Sequence, residues 1–188
     1  MYLISRILRY FRFFGRLSSS TSTHEESTLD AIATNRQGLA QISGERIWDE
    51  MKKILNNSPS NGEILPVMHR LGLLPLCGFR DDLTEEDLQT FRATCQRCAE
   101  LVASLSVTSD FDSLTHSPLP ITLLADLLKT ESDVGKLLDR LKISRNEKAL
   151  ALFLVQWREF AVEKSEVKAF KDLLVDRQKE ARIKVLMF

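Results

Sequence analysis

Hydrophobic positions recur at three- and four-residue spacing along most of this chain. That is the period of a helix buried on one face. No stretch alternates apolar and polar residues as a half-buried strand would. The pattern predicts helices over 3–17, 28–37, 44–55, 63–71, 85–106, 121–129, 132–141, 145–163 and 167–186. Polar breaks fall at SSSTST (18–23), NNSPSNG (56–62) and TSDFDSLTHSPLP (108–120). Local signals support the boundaries. Gly38 stands where a helix ends. Ser43 can cap the third helix, with Glu45 in its first turn and Lys52 and Lys53 near its end, an order that suits the helix dipole. Thr84 with Asp87, and Ser144 with Glu147, have the spacing of capping boxes. The expected fold is all-α, an irregular array of about eight or nine helices. No internal repeat appears at a fixed period. The division expected is 1–57 followed by 58–188.

Charge changes the picture at the N-terminus. The chain has 188 residues with 26 bases and 26 acids. Residues 1–24 hold Arg6, Arg9, Arg12 and Arg16 and no acid, so the remainder carries 22 bases against 26 acids. A neutral total therefore conceals a basic element suited to a phosphate-bearing partner. At 100° per residue the four arginines fall within about a third of the helix circumference. Leu3, Ile7, Tyr10, Phe11, Phe13, Phe14 and Leu17 are assigned to the opposite side. By composition the segment fits three roles: a mitochondrial presequence, a helix lying on a membrane surface, or a folded element with its aromatic face in a core.

Candidate catalytic chemistry is sparse. Cys77, Cys95 and Cys98 are an odd number and cannot all pair within the chain, which favours a reducing compartment. Cys95-x-x-Cys98 has the spacing of a zinc or redox half-site, but it lies inside a predicted helix and lacks a second pair, so buried structural cysteine is the expectation. His24, His69 and His116 are far apart and read as loop or surface histidines. Asp110-x-Asp112 lies in a predicted loop beside Phe111. Asp81-Asp82 and Glu85-Glu86-Asp87 read as a solvated, helix-capping run. No Gly-rich phosphate loop follows a strand. No apolar run reaches the ~18 residues of a membrane span, and stable membrane association is not expected.

Three segments read together carry a resemblance: RILRYFRFFGR (6–16), LDAIATNRQGLAQISGERIWDEMKKIL (29–55) and PITLLADLLK (120–129). They resemble the class II CCA-adding enzymes, the tRNA nucleotidyltransferases that share a core with bacterial poly(A) polymerases. DRLKIS (139–144) and ALFLVQWR (151–158) resemble the same family more loosely. The resemblance implies a neck over 1–57, a helical body over 58–188, and an internal rather than cleaved first helix. The family's base-recognising motif is Glu-Asp-x-x-Arg, whose arginine falls on Arg6. Its two acids fall on Tyr2 and Leu3, so both carboxylates are missing here. An arginine alone offers donors only, and selection of C and A over other bases should suffer.

By resemblance, Arg6 and Arg9 are nucleotide-binding, and Glu45, Arg46 and Glu50 brace the helix behind the pocket. The alternative for the last three is a surface Arg46–Glu50 pair. Trp48 is expected in the core. Arg12, Arg16, Lys52 and Lys53 are candidate tRNA phosphate contacts. The implied partners are the tRNA acceptor arm, CTP or ATP, and a separate chain carrying the catalytic head. Magnesium with CTP or ATP serves the full-length family, and no cofactor, metal ligand or catalytic residue is expected in this chain. Without the head's metal-binding carboxylates, the chain alone is expected not to polymerise. Expected locations are mitochondrial, cytoplasmic or nuclear. The competing reading is a non-enzymatic helical interaction module behind a mitochondrial presequence.

Overall fold

A computed structural model of the chain describes residues 5–17, 23–56, 61–106 and 119–163. They form eight α-helices: α1 Ser5–Leu17, α2 Glu26–Asn35, α3 Gly44–Asn56, α4 Asn61–Arg70, α5 Glu85–Ser106, α6 Pro120–Leu124, α7 Glu131–Leu141 and α8 Arg145–Glu163. Short 3-10 turns cover Arg36–Gln41, Pro75–Cys77 and Ala125–Leu127. Among the described residues there is no strand, and the fold is all-α as the periodicity predicts. The predicted helix 167–186 lies outside the described residues. So do Asp110, Phe111, Asp112 and His116.

Apolar faces account for the packing. In α3, Ile47, Trp48, Met51, Ile54 and Leu55 repeat at helical spacing and are all buried. This helix is central, touching α1, α4, α6 and α7. From α1, Ile7, Leu8 and Phe11 enter the same core. Val134, Leu137 and Leu141 do so from α7. Pro66 sits inside α4. Burial of this kind contributes roughly 1.5–3 kcal/mol for each large apolar side chain, so α1 is held as part of the folded body.

Polar atoms fix the joints between helices. Thr84 and Asp87 form the expected reciprocal pair at the start of α5. The buried Asp87 also bonds buried Arg80 and meets Lys129 Nζ at 3.0 Å. At the start of α8, Glu147 Oε2 accepts from the Ser144 amide and Ser144 Oγ accepts from the Glu147 amide. Glu147 Oε1 also takes the Trp48 indole N–H at 3.1 Å, tying α3 to α8. A third box, Thr130 with Asp133, opens α7.

Arg140, near the end of α7, donates to three backbone carbonyls: Leu76 at 2.9 Å, Leu39 at 2.8 Å and Ile42 at 3.1 Å. Gly44 and Gly78 are the residues that let the end of α7 come this close. A Cβ on Gly44 would lie 2.0 Å from the Arg140 carbonyl oxygen, and one on Gly78 would lie 2.7 Å from the Arg140 Cβ.

Two expectations need correction. Gly38 does not end a helix. The chain continues through it in the 3-10 turn Arg36–Gln41, which drives Leu39 into the core. The predicted 121–129 helix breaks after Leu124 into the turn Ala125–Leu127, whose Ala125 carbonyl, with that of Leu128, accepts from Arg158 of α8.

Candidate nucleic-acid interface on the first helix

The orientation of α1 decides what it presents. Ile7, Leu8, Phe11 and Gly15 face inward. Arg12, at the edge of that face, pairs with Glu50 of α3: Nη1 lies 2.9 Å from Oε2 and 3.0 Å from Oε1, with both side chains more than four-fifths buried. This pair and the buried face set the rotation of the helix. Arg6, Arg9 and Arg16 consequently point to solvent, and among the described residues none of the three makes an ion pair.

Phe13 and Leu17 do not join the buried side to which they were assigned. Phe13 is 45% exposed and Leu17 82% exposed. At 100° per residue Phe13 falls about 40° from Arg9 and about 20° from Arg6, so it belongs to the basic face. Leu8, which that assignment left out, is the residue that goes in. Phe13 carries the Arg12 guanidinium 4.7 Å from its ring centre.

The remaining candidate residues divide by partner. Lys53 Nζ lies 3.2 Å from Glu50, so Glu50 serves both Arg12 and Lys53. Lys52 pairs with Asp49 at 2.9 Å and sits 5.9 Å from the centre of the Trp48 ring. Glu45 and Arg46 are exposed at the start of α3 and make no ion pair among the described residues. The Arg46–Glu50 surface pair therefore does not form. Glu50 reaches α1, while Glu45 and Arg46 do not meet it. Trp48 is 4% exposed and belongs to the core.

One packing role escaped the sequence reading. His24 lies in a loop as expected, and there it is a half-buried anchor for α1. Its ring stacks on Phe14 at 3.6 Å and 18°, and its Nδ1 lies 2.8 Å from the Tyr10 hydroxyl. The same ring meets Phe11 edge-on. The signal available in sequence was Tyr10, Phe11 and Phe14 on one helix face with the histidine just past a short polar break.

Burial, and secondarily the positive charge of Arg70, holds the His24 imidazole below its ordinary value of 6.5. The tyrosine hydroxyl is pushed up by burial and by Glu25. A base whose folded pKa is depressed contributes its full stability above the unfolded value and loses it as the pH falls. The groups facing it are Tyr10, Phe11 and Phe14 of α1, Arg70 of α4 and the neighbouring Glu25. Thermal melts should therefore show a lower midpoint at about pH 5.5 than at about pH 7.5. In His24→Gln, the part of that slope between about pH 7 and pH 5 should flatten. An unchanged slope in the variant would remove His24 from the account.

The thiols are held in their protonated form. Burial pushes Cys77 and Cys95 up to about 12, and raises Cys98 as well. All three are unpaired, and a protonated thiol is a poor ligand and nucleophile. Among the described residues, no group of three or more His, Cys, Asp or Glu side chains is placed to hold a metal ion. Among the described residues, none is placed to hold the magnesium that the family resemblance implies.

Residues 23–75 match a family described as "Probable RNA and SrmB- binding site of polymerase A". The match runs from Thr23 through α2, α3 and α4 to Pro75. Over 186 residues, 96% of the chain, it is 40% identical to the CCA tRNA nucleotidyltransferase 1, mitochondrial, of Danio rerio. The chain is thus similar to a CCA tRNA nucleotidyltransferase along nearly its whole length. The proteins of the same name from Mus musculus and Homo sapiens are 38% and 37% identical over 185 residues. The chain spans 39% of the length of the Danio rerio relative and 38% of the other two. Within the stretch similar to these relatives, α1 and α3 form one unit through Arg12 and Glu50. Among the described residues, no helix is long and apolar enough to cross a membrane.

Proposed function

We propose that this chain is the neck and body of a CCA-adding tRNA nucleotidyltransferase, with the division at residue 57. It holds the tRNA acceptor arm and forms one wall of the CTP or ATP pocket. The observation that carries this reading is the fixed rotation of α1, which turns Arg6, Arg9 and Arg16 outward together. Fixed guanidinium groups on one face suit a phosphate backbone. The likeness to the RNA-binding family over 23–75 and to three tRNA nucleotidyltransferases supports the same partner. Arg6, at the position of the family's base-recognising arginine, faces the nucleotide, with Arg9 beside it.

Arg16 is the tRNA phosphate contact that the geometry favours most among the four named from sequence. Arg12, Lys52 and Lys53 are already engaged by Glu50 and Asp49. In this reading the chain's part is to position substrates, its α1 arginines meeting phosphate. A mitochondrial location accords with the names of the relatives.

The test is fluorescence anisotropy of labelled tRNA lacking CCA, titrated with the chain at several salt concentrations. The triple variant Arg6→Ala, Arg9→Ala, Arg16→Ala should bind about ten- to a hundredfold more weakly at low salt. Its slope of log affinity against log salt should be shallower by up to about 3. The variant's melting midpoint should stay close to the parent's, because these side chains are exposed. Equal affinity and equal slope for parent and variant would sink the proposal.

A further inference from the structure

Phe13 is an exposed ring in the middle of a cationic stripe. Arg9 lies one turn before it, Arg16 three residues after it, and Arg6 two turns before it on the same face. No acid occurs anywhere in α1. The Arg12 guanidinium lies over the ring, 4.7 Å from its centre, and is itself held by Glu50. The ring is therefore steadied from one side while 45% of the residue stays open. An apolar partner segment would have to bring its own backbone among three exposed guanidinium groups. An anionic strand with unstacked bases satisfies both features at once, its phosphates meeting arginines and a base meeting the ring.

We propose that Phe13 is a stacking platform for an unpaired nucleotide at the 3′ end of the bound RNA, with Arg16 on the flanking phosphate and Arg6 and Arg9 toward the incoming nucleotide. Arg12 is a positioning residue that holds the ring and does not itself grip phosphate. The inference rests on the tRNA reading above and adds to it a residue and a strand state. A base within a duplex is already stacked, so the platform serves single-stranded nucleotides only.

The experiment uses the 188-residue chain and two minihelix RNAs with the same acceptor stem, one blunt and one with an unpaired 3′ overhang carrying 2-aminopurine. The chain should bind the overhang RNA more tightly than the blunt one and quench the 2-aminopurine. Phe13→Leu keeps apolar bulk but has no ring. It should weaken overhang binding about ten- to a hundredfold, abolish the quench and leave blunt affinity and salt slope unchanged. Phe13→Trp should bind the overhang at least as well as the parent.

Overhang binding by Phe13→Leu equal to the parent's would overturn the stacking role and leave the tRNA reading standing. The same holds if blunt and overhang RNA weaken equally, or if a parent dimer is lost in Phe13→Leu with RNA binding unchanged. Failure of the parent chain to bind either RNA would remove the tRNA reading, and the platform with it. Circular-dichroism melts of each variant check that the fold is intact.

Discussion

Gly44→Ala lowers the stability of this chain by about 3 kcal/mol, an expected fall of about 6–12 °C in melting midpoint for a domain of this size. The added methyl would sit 2.0 Å from the Arg140 carbonyl oxygen, 2.9 Å from its carbon and 3.0 Å from the Leu141 carbonyl carbon. All three are backbone atoms at the end of α7, so no side chain can swing aside. Relief requires moving α7 away from the start of α3, which loosens the Arg140 bonds and the Leu137 and Leu141 packing together. Alanine's better helix propensity works in the other direction, by at most about 1 kcal/mol, and the clash exceeds it.

Gly135→Ala in the middle of α7 supplies the contrast. A Cβ there would meet nothing within 4 Å. The same chemical change should stabilise the chain by about 0.5–1 kcal/mol. Thermal melts of the two variants side by side test the account. Shifts of the same sign would show that the contact at Gly44 does not govern its cost.

Arg140→Ala should cost about 3 kcal/mol as well, read as a lower urea midpoint with an unchanged m-value. The guanidinium satisfies the Leu39 and Ile42 carbonyls of the segment entering α3 and the Leu76 carbonyl of the Pro75–Cys77 turn. Removing it leaves three acceptors without their charged donor, at a joint where the start of α3, α7 and the turn meet. Arg140→Lys should recover only a part, because one ammonium on a flexible stem cannot reproduce the planar fork that spans these carbonyls. Gly44→Ala and Arg140→Ala disturb one joint, so the double variant should fall short of the sum of the two. Full recovery with lysine would mean that charge alone, and not the fork, holds the joint.

Neither substitution touches the exposed face of α1, yet both bear on function. The segment they secure leads into α3, whose Glu50 fixes Arg12 and with it the direction of Arg6, Arg9 and Arg16. RNA affinity lost in these variants should return as temperature is lowered below their melting range. Loss in the triple arginine variant should not.

The sequence by itself determined the helical class, most element boundaries and two of the capping boxes, because these depend on spacings of three or four residues within one segment. It also carried the family likeness, through RILRYFRFFGR and ISGERIW, and showed that acids are absent from the first helix. What it left open was decided by contacts across the fold. Whether Glu50 pairs with Arg46 or with Arg12 depends on how α1 crosses α3, thirty-eight positions apart in sequence. Gly38 fits a helix end by local rules, but burial of Leu39 carries the chain through it. His24 lies in a loop by local rules, but only α1 makes it an anchor, by bringing Tyr10 and Phe14 against it. Phe13 stands among the arginines by spacing alone, but that 45% of it stays open is a matter of what covers it. Local periodicity says that a helix has an apolar face. Only the neighbours that cover it fix where that face ends, and so how much of the ring among the arginines stays open.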